Sequence, residues 1–460
     1  MRPEPKLLRE AVRSFSAIFS VTPGALALSV ALSASPLRAE TEGQNPYALF
    51  DQFGRVLAWV ENEYVDPVER QRLVEGAIEG MVAELDPHSA YLPPEDYAIF
   101  QSDTEGQFGG VGVEVDFAED WVTVIAPIEG SPAERGGVLP GDRILAIDHV
   151  TVRGKSAVTL VKRMRGAPGT QVLLTVRRQG VDNYLYFKLT REVIDVTSVA
   201  SAELVGNVGY LRIKAFQEGT HTELLEHVGK LRRALGPRVS AWVLDLRNNP
   251  GGLVNEAAAV ADEFLGSGVI FTTRRRGQVV DEVRAQPGGA LRRGAVAVLV
   301  NEFSASSAEL VTGALQDNGR AKVIGSNSFG KGSVQTIVDL PGGAGLRLTT
   351  LRYYTPSGRA IQAQGIHPDL LIASGEGEFG VTREKNLDGH LPAEVGAPVE
   401  TPTPSQEVAP ATAPKTEPVT RPGQVPRDPR TGNDRVLAAA YRLLTGAPEP
   451  APAPPATPKR

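Results

Sequence analysis

Three short segments concentrate glycine, small residues and polar groups: LDLRNNPGGL (244–253), NEFSASSAEL (301–310) and GSNSFGKGSVQ (325–335). In the second, the apolar run VAVLV gives way to Ser304, Ala305, Ser306 and Ser307 where a helical pattern begins. A hydroxyl at that junction meets helix amides and the positive end of the helix dipole, which suits a nucleophile. Helix capping by Ser304 or Ser306 is the other use of serine there. In the third segment Lys331 stands between Gly330 and Gly332, where a long charged side chain has little structural purpose. A lysine serves as general base when burial lowers its pKa towards working pH. Gln335 is expected on the same strand face as Lys331 and Ser333, so its amide could orient the lysine amine. A strand-edge glutamine making a backbone contact is the alternative. In the first segment Pro250-Gly251-Gly252 lets backbone amides approach a reacting carbonyl. Gly251 or Gly252, with the amide after the nucleophile, would supply the donors that acyl transfer needs for its oxyanion, and a simple turn is the competing reading.

Composition narrows the chemistry further. The chain has no cysteine, which excludes disulfides, thiol nucleophiles and thiolate metal sites together. Its six histidines form no H-E-x-x-H arrangement, so no metal is expected. A formal net charge of −6 gives no reason to expect nucleic-acid binding. GSNSFGKG resembles a phosphate-binding loop through Gly325, Gly330 and Lys331, but Gly332 stands where a magnesium-binding hydroxyl belongs. Ser328 and Lys331 match S-x-x-K, yet the flanking glycines argue against the helix that this motif requires. Serine with lysine is the hydrolytic pair that remains, and no cofactor is called for.

The elements that must position these groups follow from pattern and length. At 460 residues the chain is expected to hold two or three folded units. Arg2, Lys6, Arg9 and Arg13 precede an apolar stretch from Ala17 to Ala34 and the segment SPLRAE. That order reads as a secretory signal over 1–39 cleaved after Ala39, with an uncleaved membrane anchor as the alternative. Either way the body lies outside the cytoplasm, in a periplasmic or other extracytoplasmic space. Residues 40–100 carry helical spacing, with Leu49, Phe53, Val56, Leu57 and Val60 followed by Leu73, Ala77, Met81 and Leu85. Residues 101–190 read as a β-rich module of short strands between Gly and Pro turns. From 191 to 375 strands alternate with helices, an α/β domain. The three polar segments each follow a predicted strand there, and loops at the carboxyl ends of such strands converge on one site. Residues 376–460 turn to Pro, Ala, Glu and Thr and read as disordered linker and tail, apart from a short amphipathic helix at 433–444.

Taken together the segments resemble the carboxyl-terminal processing, or tail-specific, proteases over most of residues 46–373. DPHSAYLPPEDY, GYLRIKAF, LDLRNNPGGL, NEFSASSAEL, SFGKGSVQ and YYTPSGRAIQAQGIHPDL occur in that family's order. The resemblance implies Ser306 as nucleophile, Lys331 as base and Gln335 as the lysine's partner. It also implies oxyanion donors at the Gly252 and Ser307 amides, with Gly251 the alternative to Gly252. Ser307, where the family often has Ala, and Pro250, where Gly is common, are departures that remove no catalytic group. FGGVGVEV (108–115) and SPAERGGVLPGDRILAID (131–148) resemble a PDZ domain, with Val111-Gly112-Val113 as its carboxylate-binding loop. Such domains add a peptide to a sheet edge and hold its terminal carboxylate. The implied partners are protein substrates with free, apolar carboxyl-terminal tails. An adaptor protein and a homo-oligomer stay open. Arg165 is a candidate link between the PDZ domain and the protease site, or a surface charge. The expected whole is a multidomain α/β protein with a helical amino-terminal unit, a PDZ domain, a serine protease core and a Pro-rich extension. An inactive scaffold that merely binds tails is the alternative.

Overall fold

A computed structural model describes residues 47–117, 121–128, 130–236, 239–372, 383–393, 428–431 and 434–447. The candidate signal and its cleavage point lie outside them. The chain divides into two compact units, 1–69 and 70–460. Of the first, residues 47–69 are described, and they form helix α1 (Ala48–Glu63), none of whose residues is buried.

The second unit opens with α2 (Arg70–Ala83), β1 (Ala90–Leu92) and α3 (Pro94–Thr104). Pro94 begins α3 because its missing N–H and fixed φ suit a first helical turn. A two-stranded pair, β2 (Gln107–Gly110) with β9 (Glu192–Asp195), then brackets a barrel-like module. Inside the bracket lie β3 (Val113–Phe117), β4 (Val122–Pro127), α4 (Pro132–Arg135), β5 (Arg143–Ile147), β6 (Val150–Thr151), α5 (Ala157–Met164), β7 (Gln171–Arg177) and β8 (Leu185–Thr190). The sheet order is β3-β4-β5-β7-β8, which leaves β3 with a free edge. Alternate residues of β7 (Val172, Leu174, Val176) enter the module's own core, as the period of two in a strand requires.

The α/β core carries β10 (Val199–Leu204), β11 (Val208–Ile213), α6 (Thr220–Leu235), β12 (Ala241–Asp245), α7 (Val254–Phe264), β13 (Val269–Arg275), β14 (Gln278–Arg284), β15 (Ala295–Val300), α8 (Ser307–Asp317), β16 (Lys322–Gly325), β17 (Ser333–Asp339), β18 (Gly345–Tyr354) and β19 (Leu370–Leu371). One sheet runs β10-β11-β12-β15-β16-β19, parallel from β11 onward. Every residue of β11 and β12 is buried, as strands covered on both faces must be. Leu211 and Ile213 pack with residues of α6, α7 and α8, whereas Val208 and Tyr210 face the opposite cluster. That second cluster is completed by α9 (Arg435–Thr445), through Leu437, Ala440 and Tyr441. A second sheet, β1-β18-β13-β14 with β17 on β18, brings the amino-terminal strand β1 alongside the core.

One expectation is corrected. The composition beyond Gly375 predicts chain without structure, yet residues 383–393 fold back onto the core. Glu384 there is fully buried, accepting from Gln362 Nε2 at 2.7 Å and meeting His88 Nε2 at 2.7 Å. Polar contacts hold the segment, so apolar periodicity gave no sign of it.

The amphipathic piece near the carboxyl end is α9, and its capping residue reaches under the sheet. Asp434 Oδ1 accepts from Leu437 N at 3.0 Å, while its carboxylate takes both Arg247 amino groups at 2.9 Å. Arg247 also grips Asp245, whose carboxyl burial pushes up but Arg247 holds below the usual range. Asp434→Ala is expected to cost about 2–4 kcal/mol, from the lost cap and a half-paired buried guanidinium. The check is urea unfolding, where the midpoint should drop at constant m; an unchanged midpoint would show that α9 adds nothing.

Candidate active site

Three adjacent parallel strands, β12, β15 and β16, end on the same side, and the chain after each forms the site. The first two loops are tied by a reciprocal asparagine pair. Asn248 N donates to Asn301 Oδ1 at 2.9 Å and Asn301 Nδ2 donates to Asn248 Oδ1 at 2.6 Å. The second and third loops are joined by Phe329 N donating to the Ser304 carbonyl at 3.0 Å.

The three serines of the second loop have different duties. Ser304 Oγ, fully buried, donates to the Leu246 carbonyl at 2.8 Å. Ser307 Oγ, also buried, donates to the Gly252 carbonyl at 2.8 Å. Ser306 Oγ is engaged with no such carbonyl, and Ser306 alone of the three has a positive φ, at 52° with ψ −116°. A non-glycine residue held there costs about 1–3 kcal/mol and persists only where its surroundings over-determine it. The first loop imposes the close approach: a Cβ on Gly251 would stand 2.8 Å from Ser306 Cβ, and one on Gly252 would stand 2.0 Å from the Phe216 carbonyl oxygen.

Amide orientation separates the oxyanion candidates. Gly251 N donates to Asn249 Oδ1 at 2.8 Å, which removes Gly251 from the donor set. Phe216 N donates to the Gly251 carbonyl and Leu253 N donates to the Phe216 carbonyl, a parallel bridge that turns the Gly252 N–H the other way. Ser307 N opens α8, where no preceding helical carbonyl exists to receive it.

Lys331 is partly buried, and burial followed by the nearby Arg347 charge lowers its pKa from the ordinary lysine value. Its side chain and the Ser306 hydroxyl are not hydrogen-bonded to each other in this structure. Their backbones, however, share a partner that the sequence reading missed. Glu309, fully buried, takes Ser306 N at 2.8 Å and Lys331 N at 2.9 Å on one oxygen, Oε2. Its other oxygen takes Ser328 Oγ at 2.5 Å and Gly330 N at 2.7 Å. The signal was present: Ser306-Ser307-Ala308-Glu309 is the S-x-x-E of a capping box ahead of an apolar helix. The same bonds dispose of two rival motifs. The Gly330 and Lys331 amides that would cradle a phosphate serve Glu309, and Ser328, in a non-helical segment, is bound to Glu309 and to Ile366 N.

Gln335 lies on β17 opposite Thr349, beyond a bulge after Val334, and Lys331 precedes the strand. Gln335 Nε2 donates to Ser333 Oγ and Thr349 Oγ1, each at 3.1 Å. In the β-rich module, Val111, Gly112 and Val113 line a cleft of ≈ 920 Å³ together with Val161 and Met164 of α5. Arg165 also lines it, but its guanidinium pairs with Asp103 of α3 at 2.5 Å and stacks over Phe108, both outside the three loops of the candidate site. Among the described residues no cluster of His, Asp or Glu could hold a metal ion.

Burial pushes the Glu309 carboxyl up to about 7, against the pull of its four donors. A carboxyl with a raised folded pKa adds stability that is full below about pH 4.3 and is lost as pH rises to about 7. Glu309→Gln should remove that slope, so the stability advantage of wild type over the variant shrinks between those pH values. Its amide NH2 also faces two donors, so kcat should fall at least about tenfold. Parallel stability curves for the two proteins would refute the assignment.

Residues 207–372 match peptidase family S41, residues 123–178 match the PDZ domain, and residues 28–96 match the activating protease CtpB N-terminal domain. A carboxy-terminal-processing protease of Bartonella bacilliformis is 39% identical over 436 residues, covering 93% of this chain and 95% of that protein. A probable CtpA-like serine protease of Staphylococcus epidermidis is 37% identical over 319 residues, covering 68% of this chain and 64% of that one. Among solved structures, the photosystem II D1 C-terminal processing protease is 28% identical, with a TM-score of 0.48, covering 72% of this chain and 87% of that one. With that extent of identity over nearly its whole length, and with S41 and PDZ regions, the chain belongs to the carboxy-terminal-processing serine proteases.

Proposed function

We propose that the protein cleaves other proteins near their carboxyl termini by a Ser306/Lys331 acyl-enzyme mechanism, with tails delivered by the PDZ domain. The observation that carries this reading is the contrast among the loop serines. Ser304 and Ser307 are bound to carbonyls, while the strained Ser306 shares the Glu309 anchor with a desolvated lysine. Neutral Lys331 Nζ takes the proton from Ser306 Oγ as the oxygen attacks the scissile carbonyl carbon. The Gly252 and Ser307 amides receive the developing oxyanion. The protonated lysine gives its proton to the leaving amine, and water then releases the acyl group by the same steps in reverse order of roles. Gln335, four positions beyond the lysine in sequence, orients the amine.

The free edge of β3 and the apolar wall of α5 fit an extended peptide whose terminal side chain is apolar, with Val111-Gly112-Val113 at its carboxylate. Export belongs to the same proposal and rests on the order of basic, apolar and small residues in 1–39. Among the described residues no helix is long and apolar enough to cross a membrane.

The test is a peptide with a free apolar carboxyl terminus beside its amidated twin. Wild type should cut the first and largely spare the second. Ser306→Ala and Lys331→Ala should each lower kcat by at least about 10³-fold. Equal cleavage by all three proteins sinks the mechanism, and tight binding without cleavage by wild type favours the scaffold reading.

The lysine makes a second, independent prediction. Because the base is the neutral amine, kcat/KM should rise with pH along one limb whose midpoint lies below the ordinary lysine value near 10.4. Lys331→Arg retains the charge but cannot deprotonate, and should be inactive at every pH. A variant active at neutral pH would exclude Lys331 as the base.

A further inference from the structure

A glutamine amide has an accepting end and a donating end of nearly the same shape, so it orients a lysine only if something fixes which end is presented. At Gln335 the contact of Nε2 with Ser333 Oγ at 3.1 Å leaves that choice open, because a hydroxyl both donates and accepts, and the choice is made by residues outside the catalytic loops. Its Nε2 donates to Thr349 Oγ1 on the facing strand at 3.1 Å. The Thr349 hydroxyl has one proton, and it goes to Asp86 Oδ1 at 3.1 Å. Asp86 belongs to DPHSAY, the segment that leads into β1, and β1 pairs with β18 beside Thr349.

Asp86 is 6% exposed and surrounded by donors: Ser89 Oγ at 2.8 Å, and the His88 and Ser89 amides at 2.9 Å each, besides Thr349. Burial pushes its carboxyl up, but these hydrogen bonds outweigh it and keep the group below the usual carboxylate range. An ionised carboxylate only accepts. Thr349 must therefore donate to it and accept from Gln335, which leaves Gln335 Oε1 as the free end, an acceptor suited to a lysine N–H. Ser89 doubles the connection, donating to Asp86 and accepting from Thr349 N at 3.0 Å.

We propose that Asp86 and Thr349 are positioning residues that set the polarity of the Gln335 amide, and through it the orientation of the Lys331 amine. The inference rests on the reading of Gln335 as the residue that orients Lys331. It is distinct from a field effect of Asp86 on the lysine. The charges near Lys331 are Arg347, Glu384, Asp86 and Glu309. Removing the Asp86 charge alone would favour the neutral base, so a pure field effect raises activity on the acid limb, whereas loss of the relay lowers it.

The test measures kcat and KM in the full chain with the free-tail peptide. Gln335→Ala should lower kcat at least about tenfold; if it does not, the orienting role fails and the relay with it. Thr349→Val should lower kcat by a similar factor with KM unchanged within about twofold, while Thr349→Ser, which keeps the hydroxyl, should restore it. Asp86→Asn should behave like Thr349→Val, and if it does not fold the threonine pair decides alone. The deciding comparison is the double variant: Thr349→Val should add no further loss once Gln335 is alanine. Wild-type kcat in Thr349→Val, or the same loss in both backgrounds, overturns the relay while leaving the Ser306/Lys331 reading intact.

Discussion

A carboxylate with no access to water holds the candidate active site together. Burying Glu309 is costly, and only donors converging on both oxygens make it tolerable. Four do, and they come from the Ser306 amide, the Lys331 amide and two neighbours in the third loop. Two nitrogens on one oxygen cannot be far apart, so the carboxylate sets the spacing of the Ser306 and Lys331 backbones without touching either side chain. It also accounts for the strain at Ser306. A positive φ at a serine survives because the amide on one side is bound by Glu309 and the carbonyl on the other receives Glu309 N and Leu310 N.

Around that anchor the parallel sheet supplies direction and the loops supply precision. β12, β15 and β16 place three loop starts in a row, and the asparagine pair Asn248–Asn301 fixes the first two against each other. Below them Arg247, the residue before that pair, is held by Asp245 from the strand and Asp434 from α9. Helix α9 thus fills the second face of the sheet with apolar side chains, and its capping residue completes a buried ion triad at the root of the first loop. A buried triad of this kind is weak evidence for net stability, but removing one member leaves a buried charge half-paired at that root.

Much of this was legible in the residues. Strand and helix alternation from 208 to 325, the glycines of the first loop and the isolated lysine all follow from period, length and side-chain chemistry. What escaped was the partnership among distant polar groups. Glu309 reads as an ordinary capping residue until the third loop is seen wrapped around it. Asp86 and Thr349 are 263 positions apart in sequence, and no local pattern couples them. Glu384 lies in a stretch whose composition denies it a core, and it is ordered by His88 and Gln362 rather than by apolar contact. Periodicity reports which face is buried; it does not report which buried polar groups find each other.

The same logic joins the cleft of the PDZ module to the candidate active site. Lys214 and Gln217 line the cleft beside β3, and Phe216 between them makes both hydrogen bonds that hold Gly251 and Leu253. Gly252, between those two, has no room for a side chain because the Phe216 carbonyl occupies it. Lys214 and Gln217 therefore form part of the cleft wall while Phe216 between them supports the first loop. Burial lowers the Lys214 pKa and raises that of Glu114, which lines the same cleft. Phe216 thus ties the chain that borders the cleft to the loop that carries Gly251 and Gly252 through two backbone hydrogen bonds, at 2.8 Å and 2.6 Å, and a packed backbone bridge of that kind leaves less slack than a surface loop would.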